Sequence, residues 1–317
     1  MATDAHRADV PAPAPAPKKT GKVSTRTKSE RKLAWMLCAP AVVVMLAVTA
    51  YPILYAFVLS LQKLDLRFPE QTEFIGLANY GTVLSSELWW LDVWNTLVIM
   101  VISVSIELCL GMAIALVMHR AIFGRAVVRT VVLIPYGIIT VVAAFAWQFA
   151  FASESGFVDN LPLIADEKNW FGGHISSLAV IIMAEIWKTT PFMALLLLAG
   201  LVTIPNELYE AARVDGASAW QRFIKITLPL MKPAILVAVL FRVLEASRVF
   251  DSIFIMTHGA QNTESVSILG FEQLINRLNL GVGSAISVLI FVGVFGLAFL
   301  FIKGFGVKVE EGRPGGG

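Results

Sequence analysis

The stretch Glu210-Ala-Ala-Arg-Val-Asp-Gly-Ala217 begins a polar segment that continues to Leu228-Pro229 and lies between two long apolar regions. Pro205 stands close to the start of a first short helix, where its missing N–H costs little. Ala211 and Ala212 are strong helix formers. Gly216 is typical of the residue that ends a helix. We therefore expect one short helix before Gly216.

A second short helix is expected directly after this glycine. Ser218 and Gln221 have the Ser-x-x-Gln spacing of a capping box, which satisfies free N–H groups at a helix start. Leu228 precedes Pro229, which predicts that this second helix ends there. Composition alone is equally typical of an ordinary loop helix at a membrane surface.

The composition of the chain indicates a membrane protein with several spans. Of its 317 residues, 57% are hydrophobic and 15% are charged, whereas soluble domains carry about 25% charged residues. The net charge of +2 excludes no class of partner. Cys38 and Cys109 both lie in apolar segments, so neither a disulfide framework nor a metal site is indicated. Neither catalytic residues nor a nucleic-acid partner is expected.

Six apolar segments have about the length that a bilayer requires. They lie at about 34–61, 93–118, 130–151, 176–201, 233–257 and 284–302. The fold class predicted is an all-α integral membrane protein with six transmembrane helices. Residues 1–31 read as a disordered basic tail, 32–305 as the membrane domain with a loop at about 202–232, and 306–317 as a second tail.

The distribution of Lys and Arg predicts the orientation of these spans. Basic residues cluster in the N-terminal tail, after the second span, in the loop at 202–232 and at the C-terminus, whereas the alternate loops are acidic on balance. Cytoplasmic loops carry the excess of Lys and Arg. With six spans all four basic segments fall on one side, so we expect both termini and the polar loop in the cytoplasm of a bacterial plasma membrane.

The order of residues in the loop resembles the Glu-Ala-Ala (EAA) loop of ABC importer permeases. The matching residues are Glu210, Ala211, Ala212, Asp215, Gly216, Ala217, Leu228 and Pro229. The resemblance implies that these residues dock into a cleft of a cytoplasmic ATPase. It covers about residues 30–305 and is greatest for the MalF-like permeases of the carbohydrate branch, which implies a sugar substrate, such as the disaccharide trehalose.

Further segments fit that branch. Phe74-Ile-Gly-Leu-Ala-Asn-Tyr80 resembles its outer-loop segment, and Asn95-Thr96 opens the second span as it does there. His258-Gly-Ala260 departs from the Gly-Gly-Pro that is usual in the branch, so a differently shaped loop is expected at this point.

The resemblance also implies partners. The chain has no phosphate-binding Gly-x-x-x-x-Gly-Lys-Ser/Thr loop, so ATP and Mg²⁺ are expected on two partner ATPase subunits and this chain is expected to carry no cofactor. A second permease subunit and an external sugar-binding protein, which can be lipid-anchored, complete the expected importer.

Charged side chains inside the predicted spans are the candidates for a substrate pathway. The fourth predicted span enters the membrane from the outside and carries Glu185 and Lys188, whereas the fifth enters from the inside and carries Arg242 and Glu245. Their depths follow from a helical rise of about 1.5 Å per residue. All four then lie about 14–18 Å deep in a core about 30 Å thick. Phe192, one turn beyond Lys188, is placed to stack on a sugar ring.

Two interpretations of these charges are open. Arg242, Glu245, Arg248 and Asp251 alternate in sign at i,i+3 spacing, and Glu185 with Lys188 repeats that spacing, so internal ion pairs account for them. Alternatively, Glu185, Lys188, Phe192, Arg242 and Glu245 line a polar sugar site. Glu107, in the second span, is a further charge at depth.

Two other functions are compatible with a membrane protein of this length. A secondary carrier or channel that acts without an ATPase predicts inverted repeats or broken helices, and the sequence shows no repeat. A membrane enzyme predicts a metal-ligand spacing or a nucleophile motif, and we find neither. A co-purifying ATPase would separate the importer from both.

Overall fold

The computed structural model describes residues 25–120, 125–153, 156–158 and 169–305. Most of the two predicted tails, residues 1–24 and 306–317, therefore lies outside the described residues. The part of the chain that is described is almost entirely helical, as predicted. Its helices are α1 (Thr25–Ser60), α2 (Ala78–Leu84), α3 (Glu87–Arg120), α4 (Arg125–Gly137), α5 (Thr140–Ala150), α6 (His174–Val202), α7 (Asn206–Val214), α8 (Ala219–Arg222), α9 (Leu228–Ala246), α10 (Asp251–Met256), α11 (Val266–Phe271) and α12 (Leu280–Phe305).

The chain divides into two compact units, Met1–Ile53 and Leu54–Gly317. In the first unit, α1 begins at Thr25, inside the range that was predicted to be a disordered tail. Apolar side chains on all faces of this helix are exposed, among them Leu37 and Val48. Such all-round hydrophobicity is typical of a helix that spans a membrane.

The core of the second unit is built on α6, which packs along α3 and α9. Fully buried residues of the three helices form one cluster, including Met118, Met193, Leu197 and Met231. Gly111 of α3 lies at a close contact with α6: a Cβ there would lie 2.8 Å from Cγ of Met193.

The third predicted span, at 130–151, is broken in the structure. Helices α4 and α5 meet at an angle of 85°. Pro135 removes one backbone N–H from the last turn of α4, and Gly137 ends that helix. Ile139 has an extended ψ of 135° and begins the next helix. The segment is apolar enough to cross a membrane, as predicted, but it is a bent pair of helices and not a single helix.

The fifth predicted span, at 233–257, is also different. Helix α9 ends at Ala246, and Asp251 begins the separate short helix α10. The charged stripe that was expected to continue to Asp251 was therefore wrong, because it assumed an unbroken helix. At the other end, the chain runs from α8 through a π-helical turn, Phe223–Thr227, directly into α9.

A small non-helical region follows α1. Gln62–Lys63 (β1) pairs antiparallel with Glu73–Phe74 (β2). Buried Asn79 donates two hydrogen bonds to this region, to the carbonyls of Ser60 (2.8 Å) and Gln62 (2.9 Å). Tyr80 and Ser60 share a further hydrogen bond of 2.6 Å between their hydroxyls. The residues that resemble the outer loop of sugar permeases thus anchor the end of α1.

Five helices within the described residues are long and apolar enough to cross a membrane, and the bent pair α4–α5 gives up to six. This number of apolar helices agrees with a membrane protein that has several spans.

The close approach at Gly111 generates a prediction for the core. We expect Gly111→Val to lower the thermal stability of the purified protein by about 1–3 kcal/mol, because the added side chain overpacks the contact with Met193. Gly296→Val is the matched control, since a Cβ at Gly296 of α12 has nothing within 4 Å. Equal melting temperatures for the two variants would contradict this account of the packing.

Candidate functional site

The first half of the polar loop is a helix with a glycine stop. Helix α7 follows directly on Pro205, and Gly216 has the left-handed φ of +78°. The N–H of Ala217 donates to the carbonyl of Ala212 at 2.9 Å, which closes the helix end. Both predictions from the sequence, a helix start at Pro205 and a stop at Gly216, are confirmed.

The second half begins with the predicted capping box. The hydroxyl of Ser218 accepts from the N–H of Gln221 at 3.2 Å, and the Gln221 amide oxygen accepts from the N–H of Ser218 at 2.8 Å. Arg222 donates to the carbonyl of Ala217 at 2.6 Å and so braces the turn. The two short helices are therefore held in one fixed arrangement.

The predicted end of this second helix at Leu228-Pro229 is wrong. The N–H of Leu228 bonds to the carbonyl of Phe223, five residues back, so the i→i−4 ladder is already interrupted there. Pro229, which cannot donate, then falls at the first turn of α9 and is tolerated. The loop and α9 are consequently one continuous helical rod from Ala219 to Ala246.

The residues predicted to dock on an ATPase lie together on the loop, but not all are equally accessible. Glu210, Ala211, Asp215, Gly216 and Pro229 are exposed, whereas Ala212, Ala217 and Leu228 are half-buried. Two large apolar side chains of the same loop, Val214 and Trp220, are exposed as well. This surface combines small, apolar and charged groups.

Glu210 also lines a cavity of about 440 Å³ beside the loop. Tyr209 borders the same cavity, and its hydroxyl lies 3.0 Å from that of Thr227. The remaining lining residues come from the ends of α3 and α6, from α7 and from α8: Leu116, His119, Leu201, Asn206, Arg213 and Arg222.

Inside the bundle, Arg242 of α9 is fully buried and bonded to two carboxylates. Its Nε and one terminal nitrogen donate to the two oxygens of Glu107 on α3, at 2.6 and 2.9 Å. Its other terminal nitrogen donates to Glu245 at 2.7 Å. The Arg242 and Glu107 side chains are 1% and 0% exposed, but Glu245 is 52% exposed.

Helix α6 joins this network through a hydroxyl. The Oγ1 of buried Thr189 lies 2.7 Å from Oε1 of Glu107. Three helices therefore meet at a single carboxylate. This carboxylate belongs to a residue that the sequence marked only as a charge at depth, and Thr189 carried no signal at all. Burial of Arg242 requires a compensating acid, and that requirement was the available clue to Glu107.

The other predicted pathway residues have different partners from those expected. Within the described residues Glu185 forms no ion pair with Lys188; it accepts a hydrogen bond from Ser252 of α10. The ammonium of Lys188 lies 5.7 Å from the ring centre of Tyr136. The expected Glu185–Lys188 pair is therefore wrong, because the break after α9 brings a hydroxyl to Glu185.

Phe192 stacks on Tyr136, with ring centres 5.3 Å apart and an angle of 13° between the planes. One face of Phe192 is thus occupied by another ring.

The charged stripe predicted on the fifth span is present only in part. Arg242 pairs with Glu245 as expected, whereas Arg248 donates to the Leu244 carbonyl.

The buried pair generates a prediction for stability. Arg242→Ala should cost about 3–5 kcal/mol, because it leaves the Glu107 carboxylate buried without its counter-charge. The double variant Glu107→Leu/Arg242→Met should recover most of this loss, since apolar pairs often replace buried ion pairs without penalty. Thermal unfolding of the purified protein measures both; a double variant as unstable as the single one would contradict the pairing.

Comparisons with known proteins agree with this geometry. Residues 107–305, which include the loop and the buried network, match the family described as "Binding-protein-dependent transport system inner membrane component". The chain is 53% identical over 297 residues to the trehalose transport system permease protein SugA of Mycobacterium tuberculosis, covering 93% of this chain and 96% of that protein.

A second relative and a solved structure extend the comparison. The chain is 40% identical to the trehalose/maltose transport system permease protein MalF of Thermococcus litoralis, covering 86% of this chain and 94% of that protein. A permease chain in the crystal structure of a bacterial alginate importer has the same fold, with a TM-score of 0.76 at 23% identity, covering 90% of this chain and all of that one.

These matches decide between the functions left open by the sequence. The broken helix α4–α5 is a feature expected of a secondary carrier, but the family match and the relatives point to an ABC importer. The chain is a transport subunit and not an enzyme, and the ATPase of such importers is a separate subunit. The chain therefore belongs to the family of binding-protein-dependent transport system inner membrane components, the permease subunits of ABC importers.

Proposed function

We propose that this chain forms half of the translocation pathway of an ATP-driven importer for a disaccharide, with trehalose as the first candidate. The observation that carries the substrate class is the 53% identity to a trehalose permease along nearly the whole of both chains. Uptake of labelled trehalose by the reconstituted importer tests it, with maltose and sucrose as competitors. Saturable, ATP-dependent uptake of trehalose is expected; uptake of neither trehalose nor maltose would contradict the assignment.

The partners follow from the same proposal. A second permease subunit completes the pathway, two ATPase subunits bind ATP and Mg²⁺, and an external binding protein delivers the sugar. In the alginate importer, a solved structure contains a sugar-bound periplasmic protein. This chain contributes no nucleotide site of its own.

In the proposed orientation six spans cross the plasma membrane, with α4 and α5 together counted as one, and both termini and the polar loop face the cytoplasm. The basic segments support this arrangement, since it places all of them on one side.

Coupling to the ATPase takes place, in this proposal, at the surface formed by the loop from Glu210 to Pro229. The fixed turn at Gly216 presents Ala211 and Asp215 in the open, where a partner can approach. Because α8, the π-helical turn and α9 are continuous, a displacement of the loop moves α9 as a rod. The rod carries Arg242 and Glu245 at its far end.

The sugar pathway is proposed to use only part of the predicted polar set. Arg242 is fully buried, and its hydrogen bonds within the described residues all go to protein carboxylates. We therefore assign it the role of positioning Glu245. Glu245 and Lys188 remain partly accessible, as does Phe192. The Lys188 ammonium, which lies near the Tyr136 ring of the aromatic pair, and the half-exposed Glu245 carboxylate are each suited to sugar hydroxyls, and Phe192 is suited to a sugar face.

If Glu245 and Lys188 bind sugar and Arg242 is structural, removing either of the first two charges should lower uptake without lowering stability. Glu245→Gln and Lys188→Met should each lower trehalose uptake at least tenfold while the melting temperature stays within about 1 °C of wild type. Asp251→Asn, an exposed acid outside the pathway, is the control. A loss of stability equal to that of Arg242→Ala would instead assign both residues to internal pairing.

The docking surface predicts a coupling defect at Gly216. Gly216→Val should abolish uptake while ATP hydrolysis persists or the ATPase dissociates, because a Cβ at φ +78° costs about 1–2 kcal/mol and pushes the partner away. Gly76→Val is the matched control: its φ is +59°, and a Cβ there also has nothing within 4 Å. Uptake and co-purified ATPase are measured on the same membranes. Normal uptake by Gly216→Val would contradict the proposal that this loop docks on the ATPase.

The orientation predicts the location of a reporter. A fluorescent or enzymatic reporter that is active only in the cytoplasm should be active when fused after Gly317. Activity of an exported reporter at the same position would mean that one span has been miscounted.

A further inference from the structure

The start of α3 holds a second buried polar cluster, which neither the pathway nor the docking loop uses. Asp92 and Asn95 lie three residues apart on α3, on the same face, and both are fully buried. The side chain of Glu264 reaches the cluster from the segment between α10 and α11, and its charge repels that of Asp92. Two carboxylates and an amide therefore share one interior region.

The segment that carries Glu264 is held in place by backbone contacts. The amide nitrogen of Asn95 donates to the carbonyls of Asn262 (2.7 Å) and Glu264 (2.9 Å). The hydroxyl of Thr96 accepts from the N–H of Val266 at 3.2 Å. These bonds fix the orientation of the Asn95 amide and leave its oxygen without a role.

Gly259 gives the Glu264 side chain its space. It has a φ of +79°, and a Cβ at this position would collide with the Glu264 side chain. The absence of a side chain at Gly259 therefore leaves the space that the Glu264 side chain occupies.

Four oxygen atoms of the cluster have no hydrogen-bond donor among the described residues. They are Oδ1 and Oδ2 of Asp92, Oδ1 of Asn95 and Oε2 of Glu264. Besides Asp92, the charged groups that act on Glu264 are Glu272 and Arg277, which pair with each other at 3.9 Å. The cluster thus contains both carboxylate oxygens of Asp92, one of Glu264 and the amide oxygen of Asn95 without a donor in the described part of the chain, and burial raises the pKa of Glu264.

A single proton does not satisfy this arrangement. One proton shared by Asp92 and Glu264 forms one O–H···O bond, which uses two of the four oxygens and leaves one negative charge. A cation in contact with the four oxygens satisfies all of them, and a divalent one also balances both charges. Carboxylate and amide oxygens are the ligands that Ca²⁺ prefers, at distances that tolerate irregular geometry, whereas Mg²⁺ requires a near-octahedral shell.

We propose that Asp92, Asn95 and Glu264 form a binding site for a divalent hard cation, with Ca²⁺ as the best fit, that ties the start of α3 to the segment before α11. The site is separate from the sugar pathway and does not depend on the proposed substrate. Its role is to hold together two elements that a repulsion between carboxylates otherwise drives apart.

The test is calcium binding by the purified full-length chain. Isothermal titration with CaCl₂ after treatment with EDTA should show one site per chain, and the melting temperature should rise with free Ca²⁺. Asp92→Asn and Glu264→Gln should each remove the measured binding and the Ca²⁺-dependent rise. Glu87→Gln, which changes an exposed acid in the first turn of the same helix, should bind as wild type does.

The stability of the variants in EDTA separates a cation from a proton. If a proton neutralises the pair, Ca²⁺ leaves the wild-type melting temperature unchanged, and the proposal fails. The proposal also fails if Glu87→Gln loses binding together with Asp92→Asn. In EDTA, Asp92→Asn should be at least as stable as wild type, because it removes the repulsion; a variant that is less stable in EDTA but still binds Ca²⁺ would overturn the assignment.

Discussion

The neutralisation of Arg242 inside the helix bundle is the interaction on which the arrangement of the second unit depends. A charged side chain at the centre of a membrane costs about 2.5–3.5 kcal/mol on insertion scales, and removal of its partner costs more. Glu107 supplies the partner from α3, and Thr189 adds α6 to the same carboxylate. The three helices that form the core are therefore held in register by a bond that tolerates little displacement.

The same constraint gives the loop that we propose as the docking surface a mechanical connection to the interior. A proline after a short helix ordinarily ends it, but the π-helical turn at Phe223–Thr227 carries the chain past Pro229 into α9. The second half of the loop, which we propose to face the ATPase, and the buried arginine are thus on one rod. A rigid rod with a fixed polar contact at its far end transmits a tilt, whereas a flexible joint at Pro229 would absorb it.

Local signals predicted the parts of the structure that local chemistry determines. The stop at Gly216 and the capping box of Ser218 and Gln221 depend on residues within one turn, and both were predicted correctly. The apolar segments were also found, because length and hydropathy define a span in lipid. The break after Gly137 was missed although Pro135 and Gly137 mark it, because hydropathy alone joins the two helices into one span. The end of α9 at Ala246 was missed because neither proline nor glycine lies between Ala246 and Asp251.

The pairing of side chains could not be predicted, because it depends on which helices meet. Glu107 lies 135 residues from Arg242 in the sequence, and i,i+3 spacing favoured partners on the same helix instead. Once Arg242 is committed to Glu107, it cannot bind a sugar without exposing a buried carboxylate. In the proposed pathway, recognition of a neutral sugar is therefore assigned to the groups at the edge of the network. Glu245 keeps half of its surface free while Arg242 holds its carboxylate in place, so the buried charge orients the accessible one.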